Sequence, residues 1–133
     1  MSRKAVSYHR YKNPNPSKKE VGDCVERALC IVTGKEWLDV YDELCAIGRE
    51  IFCPPNWKDC YETYLKRNGY KYTGISNKKG TKRPTVASFT KEHQTGAYFL
   101  RVANHVVGIK DGYYYDIWDS GDCCLYGYWT KEE

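Results

Sequence analysis

Apolar residues recur at helical spacing in the first half of the chain and predict three amphipathic helices. The first helix starts at Asp23, which we expect to cap it with Glu26 as its capping-box partner, and Gly34 ends it. The second helix spans about Trp37 to Arg49, and the third spans about Trp57 to Arg67. Their apolar faces need a common surface to pack on, so these helices belong to one layer of a folded domain.

The period of the pattern changes after Gly69, where alternation of apolar and polar residues becomes typical of strands. The Asp111-Gly112 pair is a strong signal for a two-residue hairpin turn. The pattern predicts strands over 70–75, 97–102, 105–110, 113–118 and 123–129, and a short helix over 85–93. We therefore expect an α+β fold in which N-terminal helices pack on a C-terminal antiparallel sheet.

Residues 1–20 are expected to form an extended arm, because the Asn13-Pro14-Asn15-Pro16 segment disfavours helix. Residues 21–133 are long enough for a single domain with one substantial core. The arm is polar, and no run of the chain is apolar enough for a signal peptide or a membrane span. We expect a cytoplasmic protein that does not contact membranes.

Seven cysteines occur in the chain, an odd number with no export signal, which indicates free intracellular thiols rather than disulfides. Their spacing lacks the paired ligands of a zinc site, so neither a metal nor a cofactor is expected. The net charge is +4, and its densest basic run lies at 78–83. That run has no accompanying aromatic platform, so we interpret it as a solvated connector and consider nucleic acid an unlikely partner.

A cysteine, a histidine and a carboxylate occur in the order required for a thiol-imidazole site: Cys24, His105 and Asp116. Cys24 lies on the first turn of a predicted helix, whose positive dipole end favours a thiolate. His105 opens a predicted strand and Asp116 lies on the next one. We expect the other two histidines, His9 in the arm and His93 at a helix end, to face solvent.

Hairpin register decides which carboxylate accompanies the histidine. If the chain turns at 111–112, His105 lies opposite Trp118, and Asp116 is its diagonal neighbour on the same face. Trp118 would then shield the pair from water. Asp119 points to the other face unless the strand has ended or bulged, so it is the alternative orienting carboxylate.

These residues resemble elements of papain-like cysteine peptidases. The segment Asn-His-Val-Val at 104–107 resembles the entry to their histidine strand, and Asp-Ile-Trp at 116–118 resembles the element that orients and covers the histidine. The helix start Gly-Asp-Cys at 22–24 is similar to that of bacteriocin-processing peptidase domains. The spaced pattern as a whole, from Tyr11 to Trp129, is similar to small uncharacterised proteins of bacteriophages and prophages.

The resemblance implies a papain-like fold and a thiol hydrolase that cleaves a peptide or isopeptide bond with Cys24, His105 and Asp116. Its substrate would be a protein or peptide, such as a host protein, in the bacterial cytoplasm. Lys18 occupies the position where papain-like enzymes usually carry the glutamine of the oxyanion hole. The backbone N–H of Cys24 could donate there instead, and Arg27 could assist or pair with Glu26 or Asp23.

Two other functions remain open from the sequence. A transglutaminase-like acyl transferase would use the same three residues with an amine in place of water. A non-enzymatic inhibitor of a bacterial defence system could use the same scaffold without any chemistry. A cysteine of exceptional reactivity would favour the enzymes over the inhibitor.

Overall fold

The structure is a computed structural model that describes residues 7–76 and 82–131. Most of the basic run at 78–83 lies outside the described residues. In the described part the chain forms a mixed α+β fold of four helices and a six-stranded sheet. None of these helices has the length and apolar character that crossing a membrane requires.

The helices occupy the positions that the apolar spacing predicts. Gly34 ends the first helix with a left-handed backbone, as expected, and the second helix extends two residues beyond its predicted end. The predicted short helix is also present and is capped by Thr85. The helices are α1 (Cys24–Thr33), α2 (Trp37–Ile51), α3 (Lys58–Arg67) and α4 (Val86–Glu92).

The predicted strands occur in the predicted order, and three of them are shorter than predicted. The strand predicted over 70–75 covers only Lys71–Gly74. The fifth strand ends at Asp116 rather than Trp118, and the last strand begins only at Gly127. The strands are β1 (His9–Tyr11), β2 (Lys71–Gly74), β3 (Ala97–Val102), β4 (His105–Lys110), β5 (Tyr113–Asp116) and β6 (Gly127–Thr130).

The sheet has the order β1-β5-β4-β3-β6-β2 and is mixed. The N-terminal arm contributes β1, which runs parallel to β5, whereas the other pairs are antiparallel. The expectation of a purely antiparallel C-terminal sheet is therefore wrong at this edge. A parallel pair needs a long connection, and the three helices between β1 and the rest of the sheet provide one.

The two faces of the sheet bury separate apolar clusters, as the alternation along β4 shows. Val106 packs with α1, α2 and α3, whereas Val107 and Ile109 pack with α4 and Tyr114. The hairpin register pairs Lys110 with Tyr113, as predicted. The apolar contacts on the α1 side of the sheet thus pack α1 against β4. This packing brings the start of α1 close to the start of β4.

Gly108 allows this close packing of α1 on β4. A Cβ at Gly108 would lie 2.8 Å from the carbonyl oxygen of Ala28 and 2.8 Å from Cβ of Ile31. Only a residue without a side chain lets the helix backbone approach the strand at this point.

We expect Gly108→Ala to lower the free energy of unfolding by about 1–3 kcal/mol, because the added methyl must push α1 away from β4. Urea denaturation would measure this loss. The matched control is Gly22→Ala, since nothing lies within 4 Å of a Cβ at Gly22, and it should change stability by less than about 0.5 kcal/mol. Equal stability of the two variants would contradict this account of the packing.

Candidate active site

Cys24 is the first residue of α1 and is half-buried. It lines a cavity of about 380 Å³ together with His105. The first N–H groups of a helix have no partner within the helix, so the backbone around Cys24 offers hydrogen-bond donors beside the sulfur. Helix α1 thus presents a thiol and polar backbone groups to one cavity.

His105 begins β4 and is held by a carboxylate at the end of β5. Its Nε2 atom lies 2.6 Å from Oδ2 of Asp116, and the two side chains are 11% and 1% exposed. The Trp118 ring lies over the imidazole at a centroid distance of 4.9 Å. Because Asp116 engages Nε2, Nδ1 is the ring nitrogen left for a second partner, and Cys24 lines the same cavity as this ring.

Asp116 receives further hydrogen bonds that keep its carboxylate in place. The Ser120 hydroxyl donates to Oδ2 over 3.0 Å, and Nη1 of Arg27 donates to Oδ1 over 2.7 Å. The backbone N–H of Ile117 also donates to Oδ1, over 2.8 Å. A buried carboxylate with this many donors stays ionised and cannot rotate freely.

Arg27 bridges the helix and the sheet through a buried ion-pair network. Its Nε donates to Oδ1 of Asp23 over 2.8 Å, while its Nη1 reaches Asp116. The sequence suggested Glu26 or Asp23 as a partner for Arg27, and the structure shows the ion pair with Asp23. Arg27 therefore connects the residue before the thiol to the residue that holds the imidazole.

The expected capping box at the start of α1 is absent. Asp23 makes no capping hydrogen bond, and its carboxylate instead accepts from Arg27, from Asn15 over 3.2 Å and from Trp37 over 3.0 Å. Glu26 is buried, and within the described residues its Oε2 has no hydrogen-bond partner. Burial raises the pKa of Glu26 to about 7. The capping prediction is wrong because strong tertiary donors compete successfully for the Asp23 carboxylate.

The electrostatics of the site favour a charged imidazole. Burial lowers the pKa of His105, but hydrogen bonds and charge from Asp116 and Cys24 outweigh it and raise that pKa from 6.5 to about 9. Burial acts to raise the pKa of Asp116, yet His105, Arg27 and Ser120 together lower it. An imidazolium and a carboxylate are thus the stable pair at neutral pH.

The other residues that the sequence pointed to lie elsewhere. Asp119, the alternative carboxylate, accepts from the Tyr114 hydroxyl over 2.5 Å and from the Gly121 N–H over 3.0 Å. Lys18 is exposed, and its Nζ donates to the backbone carbonyl of Asn13 over 3.1 Å. Neither side chain is among those that line the cavity with Cys24.

Two histidines expected to face solvent are partly buried. His9 stacks on Tyr114 at a centroid distance of 5.4 Å, and its Nε2 lies 3.0 Å from the backbone carbonyl oxygen of Asp116. His93 stacks on Phe89 at 3.8 Å. The expectation is wrong because both rings find aromatic neighbours. His9 adds a contact behind Asp116 that sequence spacing could not indicate, since it depends on the parallel pairing of β1 with β5.

In the described part of the chain, no cluster of three or more histidine, cysteine or acidic side chains is arranged to hold a metal ion. All seven cysteines are free thiols. No protein-family model, curated protein or solved structure matches this chain.

Arg27→Met should lower the free energy of unfolding by about 3–5 kcal/mol, because it leaves buried Asp23 without its cation and removes one of the two cations that contact buried Asp116. Chemical denaturation would measure the loss. Arg67→Met is the matched control, since the Arg67–Glu50 pair is exposed, and exposed pairs contribute about 0–1 kcal/mol. Similar losses in the two variants would argue against a central role for the Arg27 network.

We also expect the His105 ring to titrate with a midpoint near 9, which NMR of the histidine ring protons can measure. A pKa raised by folding stabilises the protein fully below the ordinary value of 6.5, and this contribution is lost as pH rises through about 9. Asp116→Asn should lower the midpoint, whereas Asp119→Asn should leave it in place. A midpoint that falls in Asp119→Asn and stays unchanged in Asp116→Asn would contradict the assignment of Asp116 as the partner of His105.

Proposed function

We propose that the chain is a papain-like thiol hydrolase that cleaves a peptide or isopeptide bond. The observation that carries this proposal is the shared cavity of Cys24 and His105, with the imidazole fixed by a buried 2.6 Å contact to Asp116. A thiol on the first turn of a helix that packs on the strand bearing the histidine supports a papain-like arrangement. In this proposal Asp116 orients the imidazole of His105 through the same contact.

The proposed reaction starts from the ion pair of thiolate and imidazolium. The Cys24 sulfur attacks the carbonyl carbon of the scissile bond and forms a tetrahedral intermediate. This intermediate expels the amine, which takes a proton from His105, and leaves an acyl-thioester on Cys24. A water molecule then gives a proton to His105 and attacks the thioester, which releases the acid and restores the thiolate.

The negative oxygen of the tetrahedral intermediate needs hydrogen-bond donors beside Cys24. The Cys24 backbone N–H is one candidate, because it is an unpaired helix-start donor. Asn56 is a second candidate, since it lines the same cavity and donates through Nδ2 to the carbonyl of Gly22 over 2.9 Å. An amide group has two N–H bonds, so Asn56 can hold this contact and still donate to substrate. Lys18 does not take this role in the proposal.

The remaining groups position the reacting residues. Arg27 and Ser120 hold Asp116, and Trp118 covers the imidazole, so the ring keeps one orientation through the reaction. Seven free thiols fit a reducing compartment, which supports action in the bacterial cytoplasm on a protein or peptide substrate. No metal or cofactor takes part in this proposal.

Cys24 should react with iodoacetamide faster than the other cysteines below pH 8, because His105 carries a positive charge beside its sulfur. Peptide mapping by mass spectrometry would give the rate at each cysteine. Cys124 is the internal control, since it is the exposed thiol and would react first if access alone decided. His105→Gln should remove the advantage of Cys24 while leaving the rate at Cys124 unchanged. If Cys124 reacts first in the wild type, the catalytic proposal fails.

Trapping of an acyl-Cys24 adduct from bacterial lysate separates the possible activities. Release of the trapped acyl group by water supports a hydrolase, whereas transfer to an added amine supports the transglutaminase-like alternative. A Cys24 that forms no adduct and shows ordinary reactivity favours the non-enzymatic inhibitor.

A further inference from the structure

The cavity beside Cys24 has an unbalanced charge. Lys58 and Arg101 line it together with His105, and no aspartate or glutamate is among its lining residues. The start of α1 adds the positive end of a helix dipole at the same place. Apart from the Cys24 thiolate of the proposed reaction, every charge among the residues that line the cavity is therefore positive, in contrast to the acidic residues buried behind His105.

Lys58 and Arg101 lack the carboxylate partner that three other basic residues of the described chain have. Arg27, Lys35 and Arg67 each pair with a carboxylate. Within residues 7–76 and 82–131, neither Lys58 nor Arg101 forms a salt bridge. Their charge is thus available to a ligand in the cavity.

Arg101 is held in position by its surroundings. It is half-buried near the end of β3, and its backbone pairs with Val106 of β4, the residue after His105. Its guanidinium lies 5.8 Å from the ring centroid of Tyr126, and the guanidinium of Arg83 lies 4.8 Å from the same ring. Tyr126 lines the cavity as well, so it gives the ligand a flat surface beside the cation.

Tyr61 supplies a neutral hydrogen-bond donor on the same wall. The residue is buried in α3, and burial raises its pKa to about 12, although the charge of Arg101 acts to lower it. Glu62 is the acidic group that acts on this hydroxyl from the same helix and raises its pKa. Glu62 does not line the cavity. A protonated phenol beside a guanidinium is a suitable pair of donors for a carboxylate.

From these contacts we propose that the cavity recognises a carboxylate next to the bond that Cys24 attacks, and that Arg101 and Lys58 bind it. This proposal rests on the proposed function, because it names the substrate class of the same site. The carboxylate comes from an aspartate or glutamate side chain or from the C-terminus of a peptide. Arg101 can bind it with two parallel N–H donors, whereas exposed Lys58 contributes charge at the rim.

Alkylation of Cys24 with two matched probes tests the charge of the cavity without requiring turnover. Iodoacetate carries a carboxylate and iodoacetamide does not, yet both lose iodide to the same sulfur. We expect the rate ratio of iodoacetate to iodoacetamide at Cys24 to fall about three- to tenfold in Arg101→Gln and in Lys58→Gln. Added salt should reduce the wild-type ratio more strongly than that of the variants.

Controls isolate the charge as the cause. Arg101→Lys keeps the positive charge and should therefore keep most of the rate ratio. If the ratio falls in Arg101→Gln but not in Arg101→Lys, the loss of charge is the cause rather than a change in folding. Lys91→Gln removes an equivalent exposed charge from the last turn of α4, outside the cavity lining, and should leave the ratio unchanged. A ratio at Cys24 that neither Arg101→Gln nor Lys58→Gln changes would overturn the proposal.

A peptide library distinguishes the source of the carboxylate. Peptides with glutamate or glutamine at each position near the scissile bond, with free or amidated C-termini, would be compared by kcat/KM in wild type and Arg101→Gln. A preference for glutamate supports a side-chain carboxylate, and a preference for the free C-terminus supports a terminal one. If the alkylation ratio behaves as expected but no peptide is cleaved, the charged cavity stands and the hydrolase function fails.

Discussion

The buried salt bridge between Arg27 and Asp116 is the contact on which the candidate site depends. It joins α1, which carries the thiol, to the end of β5, whose carboxylate holds the imidazole. Burying charges costs free energy unless each charge is paired and hydrogen-bonded. Here Asp23 completes the pairing of the guanidinium on its other side. Such a network stabilises the fold only in one geometry, so it selects the relative position of helix and sheet.

His105 lies at the boundary between two environments of opposite charge. Behind it, ordered carboxylates are buried and satisfied by donors from α1 and from Ser120. In front of it, a cavity lined by Lys58 and Arg101 opens to the sulfur of Cys24. The acidic side fixes the charge and orientation of the imidazole, and the cationic side faces the cavity. His105 is thus held rigidly on one side and still borders the cavity on the other.

Much of the fold could be predicted from the sequence, and the exceptions have a common cause. Helical spacing located α1, α2 and α3, and the Asp111-Gly112 turn set the register that places Asp116 rather than Asp119 near His105. The failures occur where distant segments meet. Asp23 does not cap its helix because Arg27, Asn15 and Trp37 bind its carboxylate.

By itself, then, the sequence determined the four helices, the approximate positions of β2 to β6 and the candidate residues Cys24, His105 and Asp116. Apolar period, turn chemistry and residue type are local properties of the chain. Only the tertiary structure decided that β1 joins the sheet in parallel and that Arg27 links α1 to the carboxylate. It also decided that Arg101 and Lys58 line the same cavity as the thiol. These features join residues that lie far apart in the chain. Packing and the pairing of buried charges decide which distant side chains meet, and spacing along the chain does not.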